Sequence, residues 1–310
     1  MGGVVSILIC MVLKNGCSAS KTASELLFFP PSPPSYSMKK KDESSSEYEF
    51  TIIESVLQDN PDQKVSEDAV VVPIPTMIQT DRGKEIPLLC YRCPDSNYTI
   101  IYSQGNATDL GYMHERYSLL SSLLKVNVVA YDYTGYGVSK GDPSELETYS
   151  DIMAVYNWTI ENCPGRCTSY HNDSLTGDGI ILYGQSLGSG PTCYLACKIK
   201  VAGIVLHNGI LSGMRVLTDS RALGCLDVYP NIDRIQKVLS PVLVIHGKLD
   251  AEVHWDHGKH LHELVPEHLK REPYWVEDRG HNDIVDDQEH LDVYIRVMTK
   301  FIGSLERPTD

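Results

Sequence analysis

Residues 179–191 read "GIILYGQSLGSGP", and this stretch decides how the rest of the chain is read. Ile180, Ile181, Leu182 and Tyr183 form a short apolar run, the pattern of a strand buried on both faces. Gly184-Gln185-Ser186-Leu187-Gly188 interrupts the run, and a helical pattern follows from Ser189. A serine between two glycines, set between strand and helix, is the context in which a strained turn lifts a hydroxyl above a sheet. Gly184 and Gly188 leave room for close approach of strand and helix, and Gln185 completes the elbow. The stretch predicts a nucleophilic Ser186 at the carboxyl end of a buried strand.

The same texture extends in both directions. "VVVPIPTMIQT" (70–80) and "EIPLLCYRC" (85–93) read as paired strands joined at Asp81-Arg82-Gly83. "YTIIYSQG" (98–105) is a strand run, with a helix expected from Asp109 to Leu124, and "VNVVAYDYTGYG" (126–137) is the next. Ser144-Glu145-Leu146-Glu147 has the capping-box form and opens a helix. "GIVLHN" (203–208), "PVLVIHG" (241–247) and "PYWVED" (273–278) are three further strands. A last helix carries Leu291, Tyr294, Ile295, Met298 and Phe301 on one face. Short apolar runs separated by helix-length patterns predict an α/β fold, a mostly parallel central sheet with helices on both faces. Sites in such sheets lie beyond the carboxyl ends of the strands.

A serine hydroxyl is a weak nucleophile and needs an imidazole base oriented by a carboxylate. In the α/β-hydrolase fold the order along the chain is serine, acid, histidine. "PVLVIHGKLDAEV" (241–253) supplies Asp250, with Glu252 as the rival carboxylate, and "PYWVEDRGHND" (273–283) supplies His281. The developing oxyanion needs two backbone N–H donors, expected from Leu187 and from Asn106 in the loop after "IIYSQG". Asp132, Gly135 and Gly137 are expected to shape the floor of the site. His254, His257, His260 and His262 cluster in sequence, but on a helix they drift round the axis and lack a completing ligand, so no metal is expected. No cofactor is implied.

The chain has 310 residues, 27 basic against 41 acidic, and a net charge of −14. That balance argues against nucleic-acid binding and against electrostatic docking on anionic lipid. Nine cysteines, an odd number, argue against a complete disulfide framework. Cys193 and Cys197, at i,i+4 on a helix, read as reduced core thiols. "CPGRCTSYHNDSLTGDG" (163–179) reads as a polar loop insertion with reduced surface cysteines. Glycosylation sequons occur at Asn97, Asn106, Asn157 and Asn172. Asn106 falls in the expected site and Asn157 in a helix, places that suit no glycan, so secretion is not the expectation.

Residues 1–68 differ from the catalytic domain expected over 69–304. "FFPPSPPSYS" (28–37) favours extended backbone and "KKKDESSSEYEF" (39–50) reads as a flexible linker. Val4 to Leu13 is apolar but shorter than the roughly 18–20 residues of a spanning helix. A secretory signal carries positive charge before its apolar core, whereas Lys14 follows it here. Met1-Gly2-Gly3-Val4-Val5-Ser6 matches the pattern for myristoylation of Gly2. One such chain binds membranes only marginally, and S-acylation at Cys10 or Cys17 would add the second signal.

From Lys21 to Ile302 the chain resembles the α/β-hydrolase domain-containing protein 17 family of protein depalmitoylases. The resemblance rests on "FFPPSPPSYS", "YSQGNATDLG", "YDYTGYGVSKGDPSE", "ILYGQSLGSGP", "LHNGILSGMRVL", "YPNIDRI", "SPVLVIHGKLD", "HGK" at 257–259 and "WVEDRGHNDI". It places Ser186, Asp250 and His281 on the family's triad positions. Three departures stand out. Gln104 replaces the family's usual histidine before Gly105-Asn106, the 163–179 insertion is longer, and Asn208-Gly209 replaces Ser-Pro.

The resemblance implies a palmitoyl-protein thioesterase, tethered by lipid to the cytoplasmic face of plasma or endosomal membranes. Its substrates would be S-acylated membrane-associated proteins, with an acyl pocket beneath "ILSGMRVL" (210–217). The residues alone fit a lipase or carboxylesterase acting on acylglycerols or small esters equally well. A third reading, a non-catalytic binding module, has no need of all three of Ser186, Asp250 and His281.

Overall fold

The structure is a computed structural model that describes residues 14, 18–43, 46–53, 71–94, 96–163, 169–171, 174–217 and 227–305. In chain order its strands are β1 (Tyr36–Lys40), β2 (Tyr48–Ile52), β3 (Pro73–Gln79), β4 (Glu85–Tyr91), β5 (Thr99–Ser103), β6 (Asn127–Tyr131), β7 (Ser169–His171), β8 (Ser174–Gln185), β9 (Val201–His207), β10 (Val242–Gly247) and β11 (Tyr274–Val276). The main sheet has the order β11-β10-β9-β8-β5-β6-β4-β3, with β7 pairing on β8. All neighbours from β6 to β11 along this path run parallel, while β3 and β4 are antiparallel.

The central strands read as continuous apolar runs because both faces are covered. Every residue of β5 and β10 is buried. The helices form where the sequence supplies caps. Asp109 accepts from the N–H groups of Gly111 and Tyr112 at the start of the helix Leu110–Leu124. Ser144 accepts from Glu147 N–H at the start of the helix Glu145–Asn162. The reciprocal half of that capping box is replaced, since Glu147 instead receives the Arg82 guanidinium at 2.9 Å from the β3–β4 turn.

Register fixes where the strands stop. Ser103 lies opposite Gly184, Gln185 opposite His207, His207 opposite Ile245, and Gly247 opposite Val276. The loops after β5, β8, β9, β10 and β11 therefore leave the sheet at one edge, side by side.

The described residues of 39–50 correct the expectation of a flexible linker, since β1 and β2 reach into both ends of that stretch. Ser18 caps a helix Ala19–Leu27, and β1 and β2 form an antiparallel hairpin. Ala23, Leu27, Phe28 and Tyr36 are buried. The proline-rich stretch lies on the core around the main sheet because Phe28 stacks edge-on against Tyr229 with ring centres 6.2 Å apart. The Tyr36 hydroxyl also reaches the Asp132 carboxylate at 2.5 Å. Within 163–179 the described residues include strand where a polar loop was expected. β7 pairs with the beginning of β8, and Cys163 is buried with its Sγ 3.8 Å from that of Cys90. Gly2, Cys10, Cys17 and Asn172 lie outside the described residues. No helix among the described residues is long and apolar enough to cross a membrane.

Candidate active site

β8 delivers Gln185 in extended backbone and then turns sharply, with Ser186 held at φ +51°. A non-glycine residue with left-handed backbone is strained and must be over-determined by its surroundings. Gly184 is pressed against the following helix, where a Cβ would come within 2.6 Å of Thr192 Oγ1 and 2.7 Å of Gly188 O. A Cβ on Gly188 would run into Ser103 O and come within 2.6 Å of Gln104 O. Ser189 Oγ donates to Ser186 O at 2.6 Å, and the Tyr102 hydroxyl donates to Gln185 Oε1 at 2.7 Å. The elbow is thus fastened on both sides.

The loops after β10 and β11 bring the other two predicted residues to it. His281 Nε2 lies 2.8 Å from Ser186 Oγ, and His281 Nδ1 lies 2.6 Å from Asp250 Oδ2. Because Nδ1 faces a carboxylate it carries the proton, leaving Nε2 to accept from the serine hydroxyl. The second oxygen, Asp250 Oδ1, accepts from the N–H groups of Glu252 and Val253 at 2.9 and 2.7 Å. Burial pushes the Asp250 carboxyl upward. Hydrogen bonds from His246 and His281 outweigh it and hold the group below the usual carboxylate range. Glu252, the rival acid, is exposed and stands 3.8 Å from His281 Nε2, the nitrogen that meets Ser186. It cannot orient the ring from that side.

Gly105 lies against the elbow, where a Cβ would sit 3.7 Å from that of Ser186. This places the 104–106 loop beside the serine, and Leu187, the residue that follows the serine, is buried. Gln104 is fully buried. Its amide donates to Asp132 Oδ1 at 2.5 Å and accepts from Tyr117 at 3.0 Å, while its carbonyl accepts from Tyr133 at 2.6 Å. Asp132 receives Leu110 N–H at 3.1 Å as well, so it braces the loop from below. Gly137 is shaped by the same carboxylate, since a Cβ there would meet Asp132 Oδ2 and the Tyr36 hydroxyl.

Sequence reasoning did not foresee two supporting residues. Asn208, at φ +49°, donates to His281 O at 2.6 Å and accepts from Gly247 N–H at 3.0 Å, tying together the loops that carry His281 and Asp250. Its position after a strand was the available signal, although its partners lie far along the chain. His246 is buried with Nε2 3.3 Å from Asp250 Oδ2 and 2.9 Å from Val253 O. The other histidines disperse. His257 turns inward and accepts from Leu211 N–H at 3.1 Å, and burial pushes its ring down to about 4. His260 bonds Asp256 O and His262 bonds Arg271 O. Among the described residues no group of three or more histidine, cysteine or acidic side chains is arranged to hold a metal.

An imidazole hydrogen-bonded to a strained, buried serine and backed by an ionised carboxylate can take the serine's proton as its oxygen attacks an acyl carbon. Comparisons with known proteins bear on the fold and the family. No family model matches the chain. The chain is 38% identical to alpha/beta hydrolase domain-containing protein 17C of Xenopus tropicalis, over 92% of this chain and 90% of that one. It is 38% identical to the human protein 17B over 96% of both chains. Among solved structures, an esterase from Pyrococcus furiosus superposes with a TM-score of 0.59 at 16% identity, covering 78% of this chain and 94% of that one. An esterase from Exiguobacterium antarcticum gives 0.53 at 16%, covering 74% and 100%. At such identities these two show the fold alone. Identity sustained over nearly the whole length of both chains shows more: this chain is an alpha/beta hydrolase and belongs to the alpha/beta hydrolase domain-containing protein 17 family.

Proposed function

We propose that the chain is a serine hydrolase that removes S-acyl groups, palmitate foremost, from protein cysteines. The observation that carries the hydrolytic part is the unbroken hydrogen-bonded chain from Ser186 Oγ through His281 to Asp250. The thioester preference is what membership of the family supports.

In this reading Ser186 Oγ attacks the thioester carbonyl carbon while His281 Nε2 takes the hydroxyl proton. The N–H groups of Asn106 and Leu187 hold the oxyanion. Collapse breaks the carbon–sulfur bond, and His281 returns the proton to the cysteine thiolate. A water molecule, deprotonated by the same nitrogen, then attacks the acyl-serine, releasing palmitic acid and restoring the Ser186 hydroxyl. Asp250, held ionised, stabilises the imidazolium in both halves. The acyl chain would run past residues 210–217. Myristate on Gly2 with S-acylation at Cys10 or Cys17 would hold the enzyme on the cytoplasmic face of plasma or endosomal membranes, beside its acylated protein substrates.

Fluorophosphonate labelling tests the nucleophile. Label on the wild type and none on Ser186→Ala is expected, and equal labelling of both would refute it. Acyl release from an S-palmitoylated peptide should exceed release from a glyceride of the same chain, and the reverse order would favour a lipase. Gly2→Ala with Cys10→Ser and Cys17→Ser should release the protein from membranes.

A further inference from the structure

The Asn106 side chain is held from the far end of the sequence. Its Nδ2 donates to Leu27 O at 2.7 Å, and its Oδ1 accepts from Phe29 N–H at 3.0 Å. The same oxygen accepts from the Tyr136 hydroxyl at 2.7 Å and from Ala107 N–H at 3.1 Å. Phe29 N–H also reaches the Tyr136 oxygen at 3.1 Å. Donors meet the oxygen and an acceptor meets the nitrogen, so the amide has one orientation. The next residue, Ala107, stands at φ +53°, a left-handed backbone that alanine adopts only when its surroundings impose it.

The contact is anchored on each side. Leu27 is buried and packs over Gly213, where a Cβ would lie 2.8 Å from Leu27 Cδ1. Six residues after Phe29, the Ser35 N–H donates to Asp109 Oδ2 at 2.8 Å, and Tyr36 reaches Asp132. All three attachment points, Asn106, Asp109 and Asp132, belong to the loops that carry or brace the 104–106 turn.

We propose that residues 27–29 are a positioning element of the oxyanion hole: their main chain clamps the Asn106 amide and so holds the Asn106 N–H toward Ser186. The proposal rests on the serine-hydrolase reading above. Without the clamp the strained Ala107 backbone relaxes and the Asn106 peptide turns. The loss falls on the transition state, where negative charge appears on the oxygen, and spares substrate binding.

Phe29→Pro removes the N–H that meets Asn106, and it is compatible with the extended backbone of Phe28 (φ −112°, ψ 123°). Phe29→Ala keeps that N–H and removes a ring that is 54% exposed. With p-nitrophenyl butyrate, Phe29→Pro and Asn106→Ala should each lower kcat about tenfold or more with KM within about twofold. Both should weaken a trifluoromethyl ketone, which forms an oxyanion on Ser186, by the same factor. Affinity for the matched alcohol, which forms none, should stay unchanged, and Phe29→Ala should behave as wild type. Wild-type kcat in both variants, or an equal loss in Phe29→Ala, overturns the proposal. If Phe29→Pro fails to fold, Asn106→Ala decides, since it removes both bonds to residues 27–29: the kcat and ketone signature supports the clamp, and wild-type values overturn it. Absence of phosphonate label on wild-type Ser186 would strike the hydrolase reading itself.

Discussion

Asn208 donates a 2.6 Å hydrogen bond to the main-chain carbonyl of His281, from a backbone at φ +49°. The same side chain holds Gly247 N–H, so a single amide sets the spacing between the loops of the base and the acid. Asn208→Ala leaves two buried main-chain groups unpartnered and puts alanine in left-handed backbone. A loss of about 2 kcal/mol or more is expected. Urea unfolding and kcat on a soluble ester should both register the change, with kcat falling even at temperatures where the variant is fully folded.

Asp250 and Glu252 face different nitrogens of one imidazole. Asp250→Asn should lower kcat about 10³–10⁴-fold, because the imidazolium loses its partner and the tautomer is no longer fixed. Glu252→Gln should stay within about threefold, as expected for an exposed charge. Steady-state kinetics of the pair tells them apart.

Two buried carboxyls should make stability fall as pH rises. Burial, then the nearby Asp109 carboxylate, raises Asp132 to about 8 against three hydrogen bonds that favour its charged form. Burial raises Asp151 to about 7. Unfolded carboxyls titrate near pH ~4. Above that value the unfolded chain has released protons that the folded chain keeps, so this contribution is complete at low pH. It is lost as pH climbs through 7 and 8. Asp132→Asn should flatten the decline of unfolding free energy between pH 5 and pH 8, measured by urea titration at several pH values.

Gly188→Ala places a methyl group against two carbonyls at the end of β5, Ser103 and Gln104. Neither is a side chain that can rotate away. A cost of about 1–3 kcal/mol is expected. The elbow should also separate from the 104–106 loop, slowing phosphonate labelling of Ser186 in the fraction that remains folded.

Ser186, Asp250 and His281 were legible because each ends an apolar run and the order along the chain restricts the choice. The sheet was legible for the same reason: β5, β10, residues 203–207 of β9 and residues 180–183 of β8 are buried and read as unbroken apolar segments. What stayed hidden depends on partners remote in sequence. "FFPPSPPSYS" reads only as extended backbone, and only the presence of Asn106, Asp132 and Tyr229 gives Phe29, Tyr36 and Phe28 somewhere to dock. Asn208 stood out only as a departure from the family's Ser-Pro, because the side-chain partners that give it a role, Gly247 and His281, lie beyond residue 246. Cys163 looked exposed in its polar loop, yet it closes a helix over Cys90.

The attachment of the first described helix and hairpin also sets an order of events during synthesis. Leu27 and Phe29 wait for Asn106, 79 and 77 residues further on, and Tyr36 waits for Asp132, 96 residues on. A chain leaving the ribosome from its amino end exposes this stretch long before its partners exist. Residues 27–36 thus emerge before their partners and settle after them. Until β6 is made, residues 27–36 stay open to any enzyme or chaperone that recognises them in extended form.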